Sequence, residues 1–386
     1  MIEKKAFEIK DKLIDVRRSL HKVPETDFEE VKTAKIIRDY LSELKIPFKE
    51  CAKTGTVALI EGKNSKKTIL LRADIDGLPI KDESEFEVKS EREGYMHACG
   101  HDIHTACLLG VCEILNNMRD KLNGNVKLVF QPAEEGIGGA LTMIEEGVLE
   151  NPKVDGAFAL HVEPLIPTGT IQIKNGSIMA SPDDFKIVVH GVGGHASAPE
   201  KCVNPVTIGC DIINEYEKLN RTVLKDAPCV MTVCYFNGGT CNNAIPQSAE
   251  IMGTARSLDS ETREMIADLL EKTAEDVAKK HGTTVDFTFN RLFPPVVNNS
   301  EMNEIVAAAA KKLDCVKNIE ELKKPSMAGD DFSYFCERVP GAYFRLGVGD
   351  GKNTYPIHSP KFIADENALW VGSALMAQAA VDFLNK

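Results

Sequence analysis

VKLVFQPAEEGIGGA, residues 126–140, runs from a mostly apolar stretch through two adjacent glutamates into a glycine-rich turn. A strand that is apolar on both sides belongs inside a sheet covered on both faces. TVALIE (56–61), KTILLRAD (67–74) and VDGAFALHV (154–162) have the same character. Between them, IHTACLLGVCEILNNM (103–118) has the length and pattern of a helix, with Asp102 placed as its N-cap. Helical stripes also cover about 4–22 and about 28–45. This interleaving predicts an α/β fold, with helices packed around a mostly parallel sheet.

The pattern changes near Pro182. Strand candidates such as DDFKIVVHGV and SAEIMGTARS alternate more clearly, and helices fall near 203–222 and 260–281. Such alternation marks a sheet with one solvated face. RLFPPVVNNS then breaks the run, and a last helix covers about 366–384. The economical partition is a main, catalytic domain built from 1–181 and 295–386, interrupted by a smaller α+β lid or dimerisation domain at 182–294. A chain of 386 residues is long for a single core, which agrees with two domains.

The net charge of −12 argues against a nucleic-acid or anionic-membrane partner, because no large basic patch can be assembled. The N-terminus has no apolar signal-peptide core, and no run of about 20 apolar residues suits a membrane span. Eleven cysteines lie without spacing rhythm, which favours a reduced, cytoplasmic location over a disulfide framework.

MHACGHDIHT (96–105) gathers three histidines, a cysteine and an aspartate in a chain with nine histidines in all. Cys99 and His101 flank Gly100. In extended backbone they would project to one side, and glycine also permits a sharper path. Glu134 and Glu135 follow an apolar strand. Neighbours in extended backbone point opposite ways, so one could bind metal while the other acts as a base. His161 ends a further apolar strand, Asp74 and Asp76 lie at the end of another, and His358 sits in the proline-bounded YPIHSPKF (355–362). Chemistry in open α/β sheets gathers at the carboxyl ends of strands. A thiolate, three imidazoles and a carboxylate are more ligands than one catalytic zinc takes from its protein. They suit two metals about 3.5–4 Å apart with a shared bridge. Water bound there falls from a pKa of about 15.7 toward about 7, and a free glutamate can take its proton and return it to a leaving amine.

Through these residues the chain resembles the aminoacylase and carboxypeptidase superfamily of dinuclear-metal amidohydrolases. Within it, the similarity is to the branch of hippurate hydrolase, N-acyl-amino-acid amidohydrolases and auxin-conjugate hydrolases. The resemblance runs nearly end to end: RRSLHKVPE, LRADIDGLPI, MHACGHDIHT, FQPAEEGIGGA, ALHVEPLIPTG, GVGGHASAPE, NNAIPQSAEIMGTARS, AGDDFSYF and HSPKFIADENAL occur in that order. It implies that Cys99, His101, Glu135, His161 and His358 bind the metal pair, with Cys99 bridging. It further implies that Glu134 is the general base, that Asp76 orients the site, and that His195 helps hold the oxyanion across a dimer. Asn243 and Arg256 would face substrate. The implied reaction is metal-dependent cleavage of an N-acyl amino acid into a carboxylic acid and a free amino acid, by a hydroxide bridging the metals. Thiolate and imidazole ligands favour zinc for the two divalent ions, with manganese, cobalt or nickel as alternatives. The expected partners are this small-molecule substrate and a second copy of the chain, joined through the inserted domain.

Two departures from the resemblance touch substrate fit. Glu200 follows Pro199 where many relatives carry histidine, and Asp330 stands in AGDDF where relatives often carry glutamate. A carboxypeptidase or dipeptidase would use the same metal pair, whereas a catalytically silent homologue would have no need of Glu134. Alone, Cys99 would read as a buried small residue. His97 and His104 read as packing or capping residues, as do His21 and His190, and Asp74 suits a turn. GVGGHASAPE fits neither the dinucleotide nor the P-loop glycine spacing. His195 as an ordinary loop histidine and Arg256 as a structural ion pair are the plainer readings of those two residues.

Overall fold

The apolar runs fold as strands. The computed structural model describes residues 1–386 apart from 65, 137, 353 and 354. It begins with helices α1 (Ile2–Glu8), α2 (Lys10–His21) and α3 (Val31–Glu43) and strands β1 (Phe48–Cys51), β2 (Gly55–Ile60) and β3 (Thr68–Asp74). Then come α4 (His101–Asn116), β4 (Asn125–Gln131), α5 (Gly139–Glu145), β5 (Gly156–Pro167) and β6 (Thr170–Ile173). The stripe expected as one helix over about 4–22 is two, because Ile9 leaves helical geometry at φ −100° and ψ 6°.

The chain divides into two compact units. One comprises Met1–Gly176, Val297–Lys324 and Asp331–Lys386; the other comprises Ser177–Val296 and Pro325–Asp330. The first holds an eight-stranded sheet in the order β1, β2, β4, β3, β5, Gly341–Gly349, β6, Asn318–Glu321. Its centre is parallel, from β4 through β3 and β5 to Gly341–Gly349, while β1, β2 and β6 pair antiparallel with a neighbour. Every residue of β3 and β4 is buried, as sheets covered by helices require. Gly341–Gly349 was not among the expected strands. Its glycines fit their places: a side chain at Gly347 or Gly349 would collide with carbonyls of residues 164–167.

Helix α4 is buried nearly all round and packs against the last helix, Ala368–Leu384. Their approach needs Gly110, since a Cβ there would strike the Ser373 side chain. Leu108 and Leu109 of α4, with Leu375 and Met376 of the last helix, join Leu13 and Leu20 of α2 in one core.

The second unit holds an antiparallel sheet in the order Cys229–Gly238, Ser248–Ser257, Ser181–His190, Val285–Asn290. Helices Pro205–Arg221 and Ser260–Lys280 pack on it. Asn204 and Asp259 cap them, accepting the N–H groups of Val206 and Thr262. Phe185, Ile187, Ile208, Ile212, Ile251, Ile266 and Leu270 form its separate core. All eleven cysteines are free. Among the described residues, no helix is long and apolar enough to cross a membrane.

Candidate metal centre

Strands β4, β3 and β5 lie side by side in parallel. Glu134 and Glu135 follow β4, Asp76 follows β3, and His161 lies on β5. MHACGHDIHT leads into α4. Gly100 is the residue before that helix, at φ +81° and ψ 20°, and a side chain there would collide with Val162. This left-handed step, open to glycine, turns the chain between Cys99 and His101. The extended geometry expected for that pair is therefore replaced by a tight turn. Glu134 and Glu135 also leave extended backbone, because Ala133 before them sits at φ +53° and residues 134–136 form a turn.

Asp102 is not the N-cap. It lies inside the first turn of α4, buried, 2.8 Å from Arg17 Nε and accepting from His21 Nδ1 at 2.8 Å. A buried guanidinium gives this carboxylate a charged partner, which a helix N–H group cannot match.

Seven of the expected residues come together in the first unit. Cys99 Sγ lies 3.4 Å from His161 Nε2 and 3.3 Å from His358 Nε2. His358 Nε2 is 3.0 Å from Glu135 Oε1. His101 Nε2 is 3.9 Å from Glu135 Oε1 and 4.0 Å from Glu134 Oε2. Asp76 accepts from His101 Nδ1 at 3.1 Å and from the Glu135 N–H at 3.0 Å. Two sets of donors, Cys99 with His101 and His161 and Cys99 with Glu135 and His358, each gather closely enough to hold one ion, and they share the sulfur. His358 reaches the cluster from a loop tied by its own N–H to the Ala98 carbonyl, 2.8 Å away.

An unsatisfied group fits a metal here. His101 Nε2 is buried without a hydrogen bond, a costly state unless a cation completes it. Burial pushes the Cys99 thiol well above its ordinary pKa, and the Glu135 and Glu134 carboxylates push it further. Two cations would reverse that field and favour the thiolate. Burial lowers His101, but Asp74 and Asp76 outweigh it and raise its pKa to about 10. His161 is held well below the usual histidine range, first by burial and then by His104, so its neutral ligating form is favoured.

His104 and Asp74, expected as a packing or capping residue and a turn residue, instead aim His161. Its Nδ1–H donates to the Val162 carbonyl at 2.8 Å, leaving Nε2 to face Cys99. The Val162 N–H donates to His104 Nε2 at 2.9 Å. That acceptor role fixes the proton of His104 on Nδ1, which donates to Asp74 Oδ1 at 2.5 Å. Arg72 Nη1 donates to the other Asp74 oxygen at 2.6 Å, burying a charged pair beneath the site. Although Asp74, His101 and His104 also lie near one another, both His104 nitrogens already have partners. His97 is buried too, donating from Nδ1 to the Asp76 carbonyl at 3.1 Å, and burial lowers its pKa to about 4.

His195, Asn243 and Arg256 belong to the second unit. His195 pairs with Ala244 in a two-residue ladder, and the Asn243 carbonyl accepts the Ala196 N–H at 3.1 Å. The ring is exposed, and the Ser197 N–H donates to its Nδ1 at 3.1 Å, so the remaining proton sits on Nε2. Arg256 lies on the strand Ser248–Ser257, opposite Pro182 and Val230 and half-buried.

Known proteins match along nearly the whole chain. Residues 70–382 match the model of Peptidase family M20/M25/M40. Thermostable carboxypeptidase 1 of Saccharolobus solfataricus is 38% identical over 387 residues, covering 98% of this chain and 97% of that protein. N-acetylcysteine deacetylase of Bacillus subtilis is 37% identical over 380 residues, covering 98% and 97%. A Bacillus subtilis crystal structure, described as a dinuclear metal binding peptidase of the M20 family, superposes with a TM-score of 0.87 at 35% identity, over 98% of this chain and 99% of that one. Both the α/β architecture and the hydrolase class follow from these matches.

Proposed function

Because the chain belongs to Peptidase family M20/M25/M40, we propose that it hydrolyses the amide bond of N-acyl amino acids, releasing a carboxylic acid and a free amino acid. The observation that carries this reading is the Cys99 sulfur shared by two donor sets, with Glu134 beside them. Cys99, His101 and His161 would hold one divalent ion, and Cys99, Glu135 and His358 the other. The thiolate and imidazole donors support zinc, with manganese, cobalt or nickel as alternatives.

When bound, the ions polarise the scissile carbonyl and lower the proton affinity of water. Glu134 accepts one proton from the attacking water, whose oxygen joins the acyl carbon. The same carboxylic acid returns that proton to the amide nitrogen as the C–N bond breaks. Asp76 keeps His101 oriented through Nδ1, as carboxylates commonly do for ligand histidines. His195, with its proton on Nε2, is suited to donate to the developing oxyanion, in a homodimer from the second copy. Asn243 and Arg256 would bind the substrate carboxylate.

Several observations support the remaining parts of the reading. The strand Cys229–Gly238 ends the sheet of the second unit and exposes Val230, Tyr235 and Phe236, as a sheet edge joined to another copy would. The inserted stretch 182–294, which lies within the second unit, would be the dimerisation and lid domain. The free cysteines support a reducing, cytoplasmic location.

The test is incubation of the metal-loaded protein with N-acetyl, N-benzoyl and long-chain acyl amino acids beside dipeptides, read by mass spectrometry. Release of free amino acid from an acyl conjugate is the expected result. Cleavage of dipeptides alone would instead support the carboxypeptidase or dipeptidase reading, which the 38% identical carboxypeptidase favours.

A further inference from the structure

Glu30 stands in none of the ligand or base positions, yet it is 0% exposed. It precedes α3, and its Oε1 accepts the N–H groups of Ala133 at 3.1 Å and Phe28 at 3.2 Å. Its Oε2 accepts the Thr54 hydroxyl. Burying a carboxylate is unfavourable unless its lone pairs are occupied, and here both oxygens are. Burial raises the proton affinity of Glu30, the Thr54 hydroxyl opposes this, and the nearby Asp76 charge adds to it.

The bond to Ala133 matters because of where Ala133 lies. It is an alanine at φ +53°, a conformation sparsely populated by residues with a Cβ. Its carbonyl accepts the N–H groups of Gly138 at 3.0 Å and Gly139 at 3.2 Å. Two residues further on, the Glu135 N–H is held by Asp76 at 3.0 Å. The carbonyl before Glu134 and the N–H after it are therefore both fixed, and Glu30 fixes the residue from which the turn springs. The turn around Glu30 carries the same strain, with Asp27 at φ +57° and Phe28 at φ +63°. Gly136 passes so close to the Asp27 carboxylate that a side chain there would collide with it.

We infer that Glu30 is a positioning residue for the reaction: by holding Ala133 in its left-handed conformation, it aims the Glu134 carboxylate. This rests on the reading of Glu134 as the general base. Glu30 acts from 103 residues earlier in the chain, through the backbone N–H of Ala133. A misplacement of about 1 Å can cost on the order of 10²-fold in rate, so the effect belongs in kcat.

The test compares Glu30→Met, which fills the volume without an acceptor, with Glu30→Gln, whose amide oxygen can still accept from Ala133. Metal stoichiometry, kcat, KM and amide exchange of the segment 126–136 are measured on the metal-loaded protein. Glu30→Met should lose about 10–100-fold in kcat, with KM and both metal equivalents kept and faster exchange at Ala133. Glu30→Gln should recover most of the rate. Placed in a Glu134→Gln background, Glu30→Met should add little further loss, because residues acting as one unit are not additive. Thr54→Val, which removes only the brace on Oε2, should give a smaller loss confined to kcat, and it carries the test if Glu30→Met does not fold. Wild-type kcat in both Glu30→Met and Thr54→Val, loss of metal together with rate, or full additivity with Glu134→Gln would overturn the inference. Exchange at Ala133 does not depend on the role of Glu134. A Glu134→Gln variant with wild-type kcat would therefore refute the base assignment, whereas an Ala133 amide that stays protected in Glu30→Met would refute this inference.

Discussion

Glu134 and Glu135 are neighbours in sequence with different surroundings. Glu135 lies 3.0 Å from His358 and gathers with Cys99, whereas Glu134 gathers with His101 and Glu135 but in no set with Cys99. Glu134→Gln should accordingly keep its metal and lose about 10²–10⁴-fold in kcat, the usual contribution of a general base; elemental analysis beside steady-state kinetics checks both parts. Cys99 belongs to both donor sets, so Cys99→Ala should release at least one metal equivalent on dialysis. Retention of both would place the bridge elsewhere. The donors themselves were readable as residue types: a cysteine and three histidines are uncommon companions, and each lies beside an apolar run. His104 and Glu30 were harder to read because their key partners are backbone N–H groups, of Val162 and Ala133. A backbone group has no letter in the sequence, and nothing local marks which distant strand will present it.

Strands β2, β3, β4 and β5 were legible because burial on both faces leaves a plain apolar run. Gly341–Gly349 was not, since its glycines imitate a loop while serving close packing. Asp102 misled for a related reason: an aspartate opening an apolar helix looks like a cap, and only the fold brings Arg17 and His21 to it. The packing of α4 on the last helix gives a prediction at this scale. Gly110→Ala would improve helix propensity by about 1 kcal/mol but drive a methyl into Ser373. A net destabilisation of about 1–3 kcal/mol is expected from overpacking, measured by urea unfolding. The loop after β3 gives another. Asp82 accepts from the Ser84 N–H and hydroxyl and from the Ser90 N–H, and His21 Nε2 lies 3.7 Å away. Burial opposes ionisation of Asp82, but His21 and these donors outweigh it and hold its pKa below the usual carboxylate range. A lowered folded pKa means that the stabilisation is present above the unfolded value, near pH 4, and is lost as pH falls toward the folded one. Asp82→Asn should be less stable than wild type at pH 7 and lose less on acidification below about pH 4, as followed by denaturant midpoints across pH.

For the whole molecule, two units with separate cores hold different residues of the proposed site. Cys99, His101, Glu134, Glu135, His161 and His358 lie in the first unit, while His195, Asn243 and Arg256 lie in the second. The change in strand character near Pro182 reflects a sheet with one half-solvated face, as in Ser181–His190 and Val285–Asn290. The return of Pro325–Asp330 to the second unit was not legible in the sequence, since the short segment carries no periodicity. If His195 serves a neighbouring copy, mixing inactive His195→Ala with inactive Glu134→Gln should restore part of the activity once subunits exchange. No recovery after proven exchange would count against the shared site. The central claim is that one sulfur joins two cations. Its most direct test is a crystal structure of the zinc-loaded protein with anomalous scattering at the zinc edge. The account predicts two peaks, both bonded to Cys99 Sγ, one completed by His101 and His161 and the other by Glu135 and His358. A single peak, or two peaks with Cys99 bonded to neither, would contradict it.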